Sequence, residues 1–159
     1  MTYNPLSGFK NLDAFAPLFD PSILENTYGK IPFRTTKNVG RTIALKLTDD
    51  TTAPTAGDDF YQFHITEELD GTKLIKAVAT VVTAASADGP ITIQIRNSTS
   101  DMLTTALTID DNEETSLTAA TPHKVNRANQ IFRKGDKIHI DIDDAGTGAA
   151  GLQLYLFIQ

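Results

Sequence analysis

From about Val39 onward the chain is written in short runs where apolar and polar residues alternate, separated by clusters of Gly, Asp, Asn and Pro. This is the pattern of many strands joined by turns. The clearest runs are Ile91 to Arg96, Lys137 to Asp143 and Leu152 to Ile158. Successive side chains of a strand point to opposite sides, so each run places three or four aliphatic residues on one face. Arg41 to Leu47 repeats the pattern through Ile43, Leu45 and Leu47, and the run after Asp59 does so through Tyr61, Phe63 and Ile65. Leu74 to Val82 and Leu107 to Ile109 read as further strands, and Glu114 to Leu117 as a weak one. About eight antiparallel strands of this length predict an all-β fold, a two-sheet sandwich of jelly-roll type.

No segment after Val39 sustains apolar spacing of three and four over three turns, which argues against a helical bundle. Only Lys124 to Phe132 has that spacing, through Val125, Ala128, Ile131 and Phe132, with Gly135 placed to close it. It is expected to be a helical turn within the β domain. Threonine, with 22 copies, strengthens the β bias, because β-branched residues suit a pleated surface.

Residues 1–36 differ from the rest. They hold four of the seven prolines (Pro5, Pro17, Pro21 and Pro32) and six of the twelve Phe and Tyr residues. Proline interrupts either kind of backbone ladder, so this segment reads as an extended N-terminal arm ahead of a β domain spanning 37–159. One helical turn is expected from Asp20, with that acid as cap and Pro21 at the first helical position. Lys10, Lys30 and Arg34 balance Asp13, Asp20 and Glu25, which leaves the whole net charge of -6 in the remainder. A neutral, aromatic-rich arm exposes apolar area worth about 25 cal/mol per Å², and so calls for a cover. Its own sandwich or another subunit would serve.

At 159 residues the chain is sized for one principal core. Its acidic balance disfavours nucleic acid as a partner. The complete lack of cysteine removes disulfides, thiolate zinc sites and cysteine nucleophiles. No secretory leader and no membrane-spanning run is expected. Asn97-Ser98-Thr99 matches the glycosylation acceptor pattern and carries no weight without such a leader.

Several patterns resemble chemical motifs without their context. Gly146-Thr147-Gly148-Ala149-Ala150-Gly151 spells a dinucleotide fingerprint, yet a strand follows it where the fingerprint needs a helix N-terminus. It is expected to be a turn whose glycines take positive φ. Asp141, Asp143 and Asp144 ahead of Gly146 lack the spacing of a calcium loop; Asp110, Asp111, Glu113 and Glu114 on another loop leave a weak surface calcium site open, and are better read as acidic loop ends that guard a sheet edge. Glu67 and Glu68 are adjacent and point apart, a poor pair for glycoside cleavage. His139 alternates with Ile138 and Ile140 and is expected on the solvated face, with no ligand partner near it or near His64 and His123. Lys134-Gly135-Asp136 is a turn feeding a strand. No catalytic residue, cofactor or metal ligand emerges, and the chain is not expected to be an enzyme.

Taken together, Ile91 to Asn97, Asp101-Met102-Leu103, Leu107 to Asp110, Lys134 to Asp141 and Gly148 to Ile158 resemble β-sandwich structural proteins of tailed bacteriophages. The resemblance spans roughly Leu74 to Gln159 and brings no active site. It implies a virion structural protein, most like a capsid decoration (cement) protein on the outer surface of the head, a homotrimer whose partner is the major capsid protein. A cement protein needs an anchor that spreads over neighbouring subunits, and the arm suits that: proline lowers the entropy lost on docking and aromatics supply large area with few rotors. The anchoring residues are then Tyr3, Phe9, Phe15, Leu18, Phe19, Ile23, Tyr28 and Phe33. The alternative is a head-fibre or tail receptor-binding module that takes carbohydrate, although Thr48 to Asp59 and Ser98 to Thr105 offer no aromatic platform. Fold alone does not decide between them.

Overall fold

A computed structural model describes residues 40–98 and 100–159. The chain divides between Asn38 and Val39 into two units, and every described element belongs to the second. The sequence expectations for residues 1–36, an extended arm and a helical turn at Asp20, lie outside the described residues.

Ten strands alternate with turns: β1 (Arg41–Lys46), β2 (Gly57–His64), β3 (Leu74–Thr80), β4 (Ile91–Asn97), β5 (Ser100–Asp101), β6 (Leu103–Thr105), β7 (Leu107–Ile109), β8 (Lys124–Val125), β9 (Lys137–Asp144) and β10 (Gln153–Ile158). A single 3-10 turn, Glu67–Leu69, is the only helical element among the described residues. Every pairing is antiparallel. One sheet runs β1-β10-β3 and a second β2-β9-β4, with β5 and β7 both beyond β4. A two-stranded ribbon joins β6 to β8. The fold is all-β, and the two larger sheets share one apolar core, consistent with a β-sandwich.

The three strongest alternating runs form the centre. Ile91, Ile93 and Ile95 of β4 and Ile138, Ile140 and Ile142 of β9 are buried, and register sets Ile93 against Ile142 and Ile95 against Ile140. From the other sheet come Leu154, Leu156 and Ile158 of β10, with Leu152 just ahead of the strand. Each such side chain contributes about 1.5–3 kcal/mol on leaving water. Ile43, Leu45 and Leu47 are half-buried against the same core, with Ile43 opposite Leu156 and Leu45 opposite Leu154.

Two sequence expectations change, and the structure adds a bulge. Glu114 to Leu117 is no strand: Thr115 makes one isolated bridge to Thr80. Lys124 to Phe132 holds no helical run; it forms β8 and then a turn in which Asn126 Oδ1 accepts the Ala128 N–H at 3.1 Å. A short polar side chain that satisfies the backbone locally competes with helix continuation, while Phe132 still reaches the core. Ile75 is left over where β3 pairs with β10, because Ile158 faces Leu74 and Phe157 faces Lys76. This bulge turns Ile75 outward, 50% exposed.

The free edge of β3 is closed mainly by non-strand groups. Leu74 N donates to Gln130 O at 2.8 Å and Val81 N to Glu114 O at 3.0 Å. Between them Ala79 N donates to Ser116 Oγ at 2.9 Å and Ala77 N to His123 Nε2 at 3.2 Å. An edge so occupied offers no row of unpaired amides to another chain.

Candidate functional site

Two charged regions stand out. The first lies on the outer face of β4 and β9. Alternation that sends Ile95 inward sends Arg96 outward, and register places Arg96 opposite His139 and Asp101. Asp59 reaches the same spot from β2, whose pairing with β9 is irregular between Gly57 and Tyr61. Asp59 takes φ 56° there, and its N–H donates to Asp141 Oδ1 at 2.7 Å. Arg96 donates from Nε to Asp141 Oδ2 and from Nη2 to Asp141 Oδ1 at 3.0 Å, a two-pronged guanidinium–carboxylate contact. Asp59 Oδ1 lies 3.1 Å from Arg96 Nη2 and 2.5 Å from His139 Nδ1.

Burial alone would push the Asp141 carboxyl up, but the Arg96 fork and the Asp59 N–H outweigh it and hold the group below the usual carboxylate range. The same fork raises the Arg96 guanidinium above its ordinary value. Asp143 moves the other way: burial first, then the neighbouring carboxylates of Asp141, Asp58 and Asp101, push it up. His139 is not solvated as its alternation suggests; its side chain is 12% exposed against Asp59. A histidine oriented by a carboxylate is part of a nucleophile-activating relay, but no hydroxyl among the described residues bonds its other nitrogen. The cluster's legible chemistry is charge pairing, with Asp58, Asp101 and Asp143 left outside the ion pairs.

The second region is a groove of about 760 Å³ between β3, β6, β8 and the turn after β8. Ile75 and Val125 supply aliphatic surface, Lys76, Lys124 and Arg127 supply charge, and no acidic residue lines it. His123 also faces the groove. Its Nε2 accepts from Ala77, so its proton sits on Nδ1, and burial followed by the charge of Lys76 lowers its pKa.

The other sequence candidates find plain structural places. Gly146, Gly148 and Gly151 take φ of 61°, 82° and 75°, and β10 follows them, as expected of a turn rather than a phosphate cradle. Asp110 Oδ2 accepts the Ala120 N–H at 2.8 Å and Glu113 accepts from the Thr118 hydroxyl, so these acids tie their own loop. Glu67 pairs with Lys134 at 3.0 Å on the surface. Among the described residues no three His, Asp or Glu side chains converge as a metal ion would require. No helix among them is long and apolar enough to cross a membrane. The expected anchor residues Tyr3, Phe9, Phe15, Leu18, Phe19, Ile23, Tyr28 and Phe33 lie outside the described residues. Sequence reasoning missed both charged regions; the available signal was Arg96 and Asp141, each at an outward position of a strongly alternating strand.

Compared with known proteins, the chain matches no family model, no curated protein and no solved structure.

Proposed function

We propose that this chain is a virion structural protein of a tailed bacteriophage, a decoration protein that binds the outside of the head through residues 1–36 and reinforces the shell as a homotrimer. The observation that carries the reading is a division of labour. Residues 40–159 supply a continuous apolar core on their own, while half of the chain's Phe and Tyr residues stand ahead of it in a neutral, proline-rich segment. A segment of that composition is suited to spread over the major capsid protein, and an acidic body facing outward would stay soluble and indifferent to packaged DNA.

The sandwich on this reading is of jelly-roll type. Support comes from the strand order: β1 to β4 alternate between the sheets, β9 inserts between β2 and β4, and β10 inserts between β1 and β3.

Co-sedimentation with phage heads stripped of decoration tests the proposal, using the full chain, residues 37–159, and a full chain carrying Phe15→Ala, Phe19→Ala and Phe33→Ala. Binding by the intact chain that is lost in both altered forms, with thermal unfolding of the β domain unchanged, is the expected result. Binding to host cells that survives removal of residues 1–36 would replace the reading with receptor recognition by the sandwich.

A further inference from the structure

Strand β4 keeps its inward side apolar as far as Ile95, and the next inward position is Asn97. An amide there breaks the pattern opposite the buried Ile138 of β9, and its cross-strand partner Ser100 of β5 is polar as well. The two open into a pocket of about 400 Å³ shared with the segment that joins β8 to β9, which contributes Asn129, Ile131, Arg133 and Asp136. Hydrogen bonds fix the polar groups of this pocket from one side only. Asp136 Oδ2 accepts from Asn97 Nδ2 at 2.8 Å and from the Arg133 N–H at 3.1 Å, while Asn129 Nδ2 donates to the Asp101 carbonyl at 3.2 Å. The second oxygen of Asp136 and the amide oxygens of Asn97 and Asn129 have no partner among the described residues, and neither do the Arg133 guanidinium and the Ser100 hydroxyl.

We propose that this pocket binds a neutral mono- or disaccharide, held by its hydroxyl groups. Acceptors and donors both remain free there, which suits a ligand whose every hydroxyl can donate and accept. Asp136 and Arg133 are the only charged side chains among the described residues that line it. Asp136 opposes an anion and Arg133 a cation, while the carboxylate and the guanidinium each present two atoms to neighbouring hydroxyls of a ring. Ile131 adds aliphatic surface for the C–H edge of that ring. Asn97, Asn129 and Asp136 are half-buried and already oriented by their own hydrogen bonds, so little order remains to be imposed on binding. The volume falls in the range of about 300–1,000 Å³ usual for small-ligand pockets. The proposal rests on residues of the β domain alone and is independent of the decoration reading.

Amide NMR spectra of the isotope-labelled full chain test the site, with glucose, galactose, mannose, N-acetylglucosamine and N-acetylgalactosamine added separately at millimolar concentration. At least one sugar should shift the amides of Asn97, Ser100, Asn129 and Arg133 in a saturable way. Ala128→Trp fills the pocket from an exposed position on its rim, and Arg133→Ala removes a side chain that has no partner among the described residues. Neither takes a hydrogen bond from the fold, so thermal unfolding should remain as in the wild type. Each should weaken binding of that sugar at least about tenfold. An absence of shifts with every sugar, shifts centred elsewhere on the domain, or binding retained by both variants would each overturn the proposal. Calcium chloride or sodium phosphate that shifts the same amides, where the sugars do not, would overturn it in favour of an ion site.

Discussion

Arg96 grips Asp141 with two donors, and Asp141 is only 3% exposed although its strand position faces away from the core. The pair covers the carboxylate that β9 presents beside the β2 irregularity, and the Asp59 N–H completes it. Removing Arg96 leaves a shielded charge without its main partner. Arg96→Met should therefore cost about 2–3 kcal/mol in urea unfolding, below the full cost for a wholly buried pair because Arg96 keeps solvent contact. The effect should depend on pH. Asp141 has a folded pKa below its unfolded one, so its stabilisation is complete above the ordinary carboxylate range and disappears as pH falls through the folded value. The gap between wild type and Arg96→Met should accordingly narrow below about pH 4. A gap that stays constant down to acid unfolding would remove this account.

His123 produces a second pH dependence, through the edge of β3. Its Nε2 must keep a lone pair to accept the Ala77 N–H, and its pKa is lowered. The unfolded chain thus takes up a proton first as pH falls below about 6.5, and stability declines until the folded imidazole titrates as well. His123→Gln retains an acceptor and cannot titrate, so its stability should stay flatter between about pH 7 and pH 5. His123→Ala should cost about 1 kcal/mol at neutral pH through the unsatisfied amide. Urea midpoints across this range check both, and equal slopes for wild type and His123→Gln would contradict the assignment.

Glycines that share a positive φ should differ in their tolerance of a side chain. At Gly151, with φ +75°, an added Cβ would lie 2.6 Å from Val82 Cγ2 and 3.0 Å from Asp50 O. At Gly135, with φ +85°, it would meet nothing within 4 Å. Gly135→Ala should cost about 1 kcal/mol for backbone conformation alone, and Gly151→Ala about 2–3 kcal/mol, since contact is added to strain. Thermal unfolding of the two variants gives the comparison directly, and equal costs would mean that the loop before β10 adjusts freely.

The parts of this fold legible from sequence are those governed by one strand at a time. Ile91, Ile93 and Ile95 announce their face because alternation is a local property. The glycine run 146–151 can be separated from a nucleotide loop because the following strand is equally local. Bulges escape, since the surplus of Ile75 appears only once β3 is aligned with β10. His139 departs from its expected exposure for a related reason: alternation gives its face correctly, but the groups that cover it come from β2, through Asp59. The Arg96–Asp141 contact spans 45 positions and depends on register between β4 and β9. His123 and Ser116 offer no pattern, because an edge cap is specified by its position against a neighbouring strand.

Thr108 is the remaining irregularity in an otherwise satisfied sheet. Its hydroxyl is buried on β7 and has no hydrogen-bond partner, the one such side-chain atom among the described residues. The residue sits opposite Thr92 between the buried Leu107 and Ile109. A hydroxyl withdrawn from water without a partner opposes folding, and valine has nearly the same shape without that cost. Thr108→Val should raise stability by about 1 kcal/mol, with an unchanged urea dependence, because the area exposed on unfolding hardly changes. The expected sign is unusual, since most substitutions in a packed sheet destabilise. A lower urea midpoint for Thr108→Val would show that the hydroxyl is satisfied in solution, and a crystal structure of the wild type would then locate the water that serves it.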